Sequence, residues 1–175
     1  KVLKFGGTSV GSVDSLLNVK KIVESCDEQV IVAVSALGGV TNQLIAMSDM
    51  AQNHDDAWQP VLESVKHRHL DIIDAVVIEE LKPQCRQVIE QFIDNNLRSY
   101  YGTLMVNDDL DEVVVAQLRD AIVAHGEIMS SAIVSCMIVD ATPHFSPRFI
   151  KTRDTEGERR LDWEATEALV KQVEG

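Results

Sequence analysis

The sequence is poor in the features that mark specialised protein classes. It has three cysteines in 175 residues, Cys26, Cys85 and Cys136. They are odd in number and lack the paired spacing of a zinc site or a disulfide framework, so reduced thiols in a cytoplasm are the simplest reading and no metal site is expected. No apolar run approaches the roughly 20 residues a membrane helix needs, and the N-terminus has no apolar signal core. The chain is therefore expected to be soluble and cytoplasmic, with no membrane partner. Basic charge is also scarce: 16 Lys and Arg face 28 Asp and Glu, for a formal charge of -12. That is the wrong sign for neutralising a polyphosphate backbone, which argues against nucleic acid. Any anion site must be local, made by a few donors within an acidic surface. A Walker A loop is missing as well, since no GK[ST] follows the first glycines, and there is no internal repeat or low-complexity segment.

What is present is ordinary globular material, 45% hydrophobic and 25% charged. Its length suits one domain burying roughly 70% of its unfolded surface. Val2 to Phe5 and Val30 to Ser35 are short, valine-rich runs with little alternation, as expected for parallel strands covered on both faces. Between them Val13, Leu16, Leu17, Val19, Ile22 and Val23 recur at helical spacing, which makes a βαβ unit. A second glycine loop, ALGGVTN, leads into a helix with Leu44, Ile45 and Ser48 on one side and Thr41 or Asn42 as its cap. Both loops fall at the carboxyl ends of parallel strands, where open α/β sheets bind ligands.

The middle of the chain predicts helices. One carries Trp58, Val61, Leu62, Val65, Ile72, Ile73 and Val76; another carries Val88, Ile89, Phe92, Ile93 and Leu97 after Pro83. NDDLDE, Asn107 to Glu112, places negative charge ahead of a helix bearing Leu110, Val113, Val114, Leu118 and Ile122, and capping is preferred over calcium there because the EF-hand spacing is missing. His125-Gly126-Glu127 is expected to end that helix and open another, with Ile128, Ala132, Ile133 and Met137 inward. His67, His69, His125 and His144 are read as surface residues. After Asp140 come short extended pieces around Phe149 to Thr152, a turn at Glu156-Gly157 and a final helix, Trp163 to Val173. A doubly wound domain normally follows such a helix with another strand, so the chain is expected to end mid-fold.

The chemistry concentrates in the loops. In KFGGTSVG, Lys4 closes a strand, Gly6 and Gly7 let backbone N–H groups approach phosphate oxygens, and Thr8 and Ser9 add hydroxyl donors. A partly buried lysine needs a carboxylate or a phosphate as partner. The glycine pair also has a purely steric reading as a strand-to-helix turn. In VSALGGVTN, Ser35 and Thr41 bracket a turn that could clasp a carboxylate, or Thr41 could only cap a helix. Glu127 could hold a substrate ammonium, or merely favour a first helical turn.

KFGGTSVG, VSALGGVTNQL and HGEIMSSAI, in that order, resemble the three successive signatures of aspartokinases in the amino acid kinase family. The wording is most similar to the kinase part of bifunctional aspartokinase/homoserine dehydrogenases. The resemblance implies an α/β fold, a three-layer αβα sandwich with a mainly parallel sheet of the carbamate kinase-like kind, here incomplete. It implies transfer of the γ-phosphoryl of ATP, with Mg2+, to the β-carboxylate of L-aspartate, the first step towards lysine, threonine and methionine. It makes Lys4 the catalytic lysine, places Gly6, Gly7, Thr8 and Ser9 in the phosphate loop, and assigns Ser35, Thr41, Glu127 and Ser130 to aspartate. Residues 1–175 then form the N-terminal portion of the catalytic domain, without the LGRGGSD-type loop, the adenine-holding half, the ACT domains or a dehydrogenase. On that expectation the chain alone is inactive and the longer enzyme is a homo-oligomer. Alternatives are a kinase of the same family acting on glutamate or acetylglutamate, or a non-catalytic carboxylate-binding or assembly module.

Overall fold

The computed structural model describes residues 1–155 and 158–173 and divides into two compact units, Lys1–Pro143 and His144–Gly175. The turn expected at Glu156-Gly157 lies outside the described residues.

The first unit opens with strand β1 (Val2–Phe5), helix α1 (Val13–Glu24) and strand β2 (Ile31–Val34). The strands pair in parallel, Val2 with Ile31, Leu3 with Val32, Lys4 with Ala33 and Phe5 with Val34. This is the expected βαβ unit. Its strands are not covered on both faces, however. Leu3, Phe5, Val32 and Val34 are half-buried, while Val2 (66% exposed), Lys4, Ile31 (69%) and Ala33 face outward. Helix α6 packs against β2, so alternate residues of this two-stranded sheet meet helix and alternate residues meet water.

Helices make up the rest of the unit: α2 (Val40–Gln52), α3 (Trp58–Val76), α4 (Lys82–Glu90), a π-helical stretch (Gln91–Leu97), α5 (Arg98–Val106) and α6 (Glu112–Met137). Their buried faces follow helical spacing: Leu16, Val19 and Val23 on α1, Leu44, Met47 and Ala51 on α2, and Leu62, Val65, Ile72, Ile73 and Val76 on α3. Each such side chain, removed from water, contributes roughly 1.5–3 kcal/mol. Tyr101 of α5 is fully buried, stacks at 5.3 Å on Trp58 and donates to the Leu44 carbonyl at 3.1 Å, which ties α5 to α2 and α3. Asp111 caps α6 by accepting from the Val113 N–H at 2.7 Å, the role expected for the acidic stretch. Val113 (63%) and Val114 (39%) are exposed instead of joining the packed face, and on α2 Ile45 (39%) is exposed beside the buried Leu44 and Ser48.

Three further expectations are corrected. Helix α6 runs unbroken through His125-Gly126-Glu127. His69 and His125 are buried, not solvated. Cys85 of α4 and Cys136 of α6 are spatial neighbours and not isolated, and burial above all, with Cys136 beside it, raises the Cys85 pKa. Among the described residues no helix is long and apolar enough to cross a membrane.

The second unit holds a short 3-10 turn (Ser146–Arg148), the antiparallel strands β3 (Thr152–Thr155) and β4 (Glu158–Leu161), and α7 (Trp163–Val173). The buried Thr166 closes it, its hydroxyl accepting from the Lys151 N–H at 2.9 Å.

Candidate active site

The turn after β1 and the turn after β2 pack backbone against backbone. A Cβ added at Gly38 would lie 3.1 Å from the Gly7 carbonyl oxygen and 3.4 Å from Gly11 Cα, and one at Gly11 would lie 3.0 Å from the same oxygen. Glycine is needed here because two main chains share space that any side chain would take. Within the first turn the Ser9 N–H closes on the Gly6 carbonyl at 2.9 Å, and the Ser35 N–H of the second turn donates to the Phe5 carbonyl at 3.0 Å.

Helix α6 meets the second turn from the other side. A Cβ on Gly126 would lie 2.8 Å from Ala36 Cβ, 3.4 Å from a Leu44 methyl and 3.9 Å from the Thr41 hydroxyl. Glycine inside a helix costs up to about 1 kcal/mol relative to alanine. Here it permits the close approach of α6, which explains why the helix continues where a break was expected. Ser130, fully buried, donates to the Ser35 carbonyl at 2.7 Å and lies 3.1 Å from the Glu127 carbonyl. Its hydroxyl proton is spent on pinning α6 to the end of β2. The structure thus brings all three motifs to one place.

The two helix starts differ. Ser12 and Ser15 form a reciprocal capping box at α1, with Asp14 in the first turn. Helix α2 begins at Val40 after Gly39, whose φ of 85° is left-handed, and has neither a side-chain cap nor a first-turn acid. Thr41 is therefore inside the first turn and caps nothing, which corrects its expected capping role. Glu127 lies in the middle of α6, so its first-turn reading falls too. Its half-buried carboxylate has no ion-pair partner among the described residues.

Lys4 is exposed on the outer face of the sheet, opposite Ala33. Water solvates its ammonium, so the argument from a partly buried lysine fails. Gly6, Gly7 and Ser9 are half-buried and Thr8 is exposed in the adjoining turn.

Two features escaped the sequence reading. Arg68 of α3 donates to the Gly38 carbonyl at 2.8 Å and to the Gly11 carbonyl at 3.1 Å, contacts across 30 and 57 residues that no local signal announces. His125 sits next to Gly126, its Nδ1 at 2.7 Å from the Ala121 carbonyl and its Nε2 at 3.2 Å from the Asn96 amide of the π-helical stretch. Phe92 and Tyr100 present ring edges to it, each at 5.7 Å. Burial lowers its pKa, so it is a neutral packing and hydrogen-bonding group. Its place on the stripe Ile122, His125, Met129, Ala132 and Ile133 was a readable sign of burial.

The sequence matches the amino acid kinase family over residues 1–172. The chain belongs to that family. Among its relatives are a chloroplastic bifunctional aspartokinase/homoserine dehydrogenase of Daucus carota, 30% identical over 77% of this chain, and an aspartokinase of Candida albicans, 24% identical over 79%. The chain spans 14% of the carrot protein and 26% of the yeast one. Its fold is that of E. coli aspartokinase III, solved with aspartate and ADP: the TM-score is 0.80 at 24% identity, over 98% of this chain and 36% of the other. The α/β architecture with a short parallel sheet agrees with an incomplete amino acid kinase fold.

Proposed function

We propose that this chain is the aspartate-holding and phosphate-holding part of an aspartokinase, which transfers the γ-phosphoryl of ATP to the β-carboxylate of L-aspartate. The observation that supports this most is the uncapped start of α2 packed close to Gly126 of α6, whose neighbour Glu127 has no ion-pair partner among the described residues. Free N–H donors and the helix dipole favour a carboxylate at one point, while a lone carboxylate favours an ammonium at another. An amino acid carries both groups. Ser35 and Thr41 supply hydroxyls from the two ends of the same turn.

In this reading the turn from Gly6 to Ser9 cradles phosphate oxygens, and the Lys4 ammonium stabilises charge that develops on the transferred group. The nucleophile is a carboxylate and needs no general base, so catalysis consists of positioning and charge stabilisation. Among the described residues no three His, Cys, Asp or Glu side chains converge on a metal-sized space. In this reading the magnesium expected with ATP arrives on the nucleotide's own phosphates. The adenine-holding half lies beyond residues 1–175 in this proposal, as does any oligomer contact of a longer enzyme.

A coupled ADP-release assay with aspartate, ATP and magnesium tests the reading, run on this chain and on a polypeptide extended to the length of the E. coli relative. Turnover confined to the longer protein is the expected result. No turnover in either would leave a carboxylate-binding or assembly module, which aspartate titration would then reveal.

A further inference from the structure

Four arginines lie in the first unit, and three of them pair with carboxylates: Arg86 with Asp74, Arg98 with Glu63 and Asp94, and Arg119 with Asp49. Among the described residues Arg68 does not, although the chain has 28 acidic residues. Its guanidinium donates to the Gly38 carbonyl and the Gly11 carbonyl, one in each glycine turn, from a half-buried position on α3. A planar fork spans the two acceptors from two separate nitrogens in fixed directions, whereas a lysine ammonium would have to reach both from a single nitrogen. A carbonyl that accepts such a bond also polarises its own peptide, which sharpens the N–H of Gly39 at the start of α2.

We infer that Arg68 is a positioning residue that fixes the spacing of the two glycine turns, and with it the distance between the carboxylate held by one and the phosphoryl group held by the other. This rests on the phosphoryl-transfer reading for its consequence, though not for its geometry. The guanidinium donors of Arg68 go to the two backbone carbonyls. Each turn keeps its own donors without it, so each ligand still binds; what is lost is the register between them.

The test uses Arg68→Ala and Arg68→Lys in the polypeptide extended to the length of the E. coli relative, with two readouts. The first is amide hydrogen exchange without ligand. Protection is expected to fall together in residues 7–12 and 37–40 in both variants, while the middles of α3 and α6 keep theirs. The second is steady-state kinetics well below the melting temperature of every variant. Turnover is expected to fall about tenfold or more, with dissociation constants for aspartate and ADP changed by less than about threefold. Added methylguanidinium should restore part of it in Arg68→Ala, because the side chain lines an open cleft with Ser12, Ser64, His67 and Asp71. Unchanged exchange in both turns would overturn the inference whatever the kinetics. Full turnover in Arg68→Lys would overturn it as well, since a point charge would then suffice. If the unsubstituted extended protein turns over no aspartate, the phosphoryl-transfer reading fails while hydrogen exchange still decides on the clamp.

Discussion

The two glycine turns share their ingredients: a parallel strand, paired small residues, hydroxyl side chains and a helix. They differ in who satisfies the helix. After β1 the serines at positions 12 and 15 close the start of α1 on themselves, and Asp14 answers its dipole. After β2 a left-handed glycine hands the chain into α2 with no side-chain cap and no acid. The first turn therefore offers loop donors without a helix dipole behind them, whereas the second offers the dipole itself. A helix start can hold a ligand only if the protein has not already filled it.

The largest break in this comparison should come from the wall of the second turn. Gly126→Val drives a side chain into Ala36 and Leu44, and overpacking of that kind costs about 3 kcal/mol. The melting temperature should fall by several degrees and aspartate affinity should fall with it, while nucleotide binding at the first turn is spared. Calorimetry with each ligand checks the split.

Gly39→Ala forces an L side chain into a left-handed φ at the uncapped helix start, worth as much as about 2 kcal/mol. Urea unfolding should report that loss, and aspartate titration a second loss, since the open donors shift.

The strut behind both turns is sensitive to acid. His69, beside Arg68 on α3, is fully buried, with Nδ1 at 2.7 Å from the Val65 carbonyl and Nε2 without a partner. Burial, above all, lowers its pKa to about 4 from the ordinary 6.5. A histidine whose folded pKa is depressed is stable when neutral, so its contribution is intact above pH 6.5 and drains away as pH falls towards 4. Between pH 7.5 and 5.5 the loss should be roughly 1 kcal/mol, and His69→Gln should flatten that part of the stability curve. A wild-type curve as flat as the variant's would contradict this.

Ser12→Ala is the smallest perturbation. It removes the α1 cap at about 1 kcal/mol and should leave aspartate binding unchanged, because that helix start was never available to a ligand.

The βαβ opening was legible because valine-rich runs and helical spacing are local signals, and so were the three motifs. The unbroken α6 was not, because glycine at position 126 looks the same whether it ends a helix or meets Ala36 from inside one. The exposure of Lys4 was hidden because strand residues reveal their faces only once their neighbours are placed. Thr41 was misassigned by one turn of geometry: Gly39 took the cap, a choice the dipeptide Gly38-Gly39 allowed but did not announce. Arg68 could not be found at all, since its partners are joined to it only by folding.

Amide NMR shifts on adding L-aspartate and ADP separately to the chain bear most directly on the difference between the turns. Aspartate should move Gly39, Thr41, Asn42 and Glu127, and ADP should move Gly6, Gly7 and Thr8. Aspartate shifts centred on the first turn, with the start of α2 unmoved, would contradict the account.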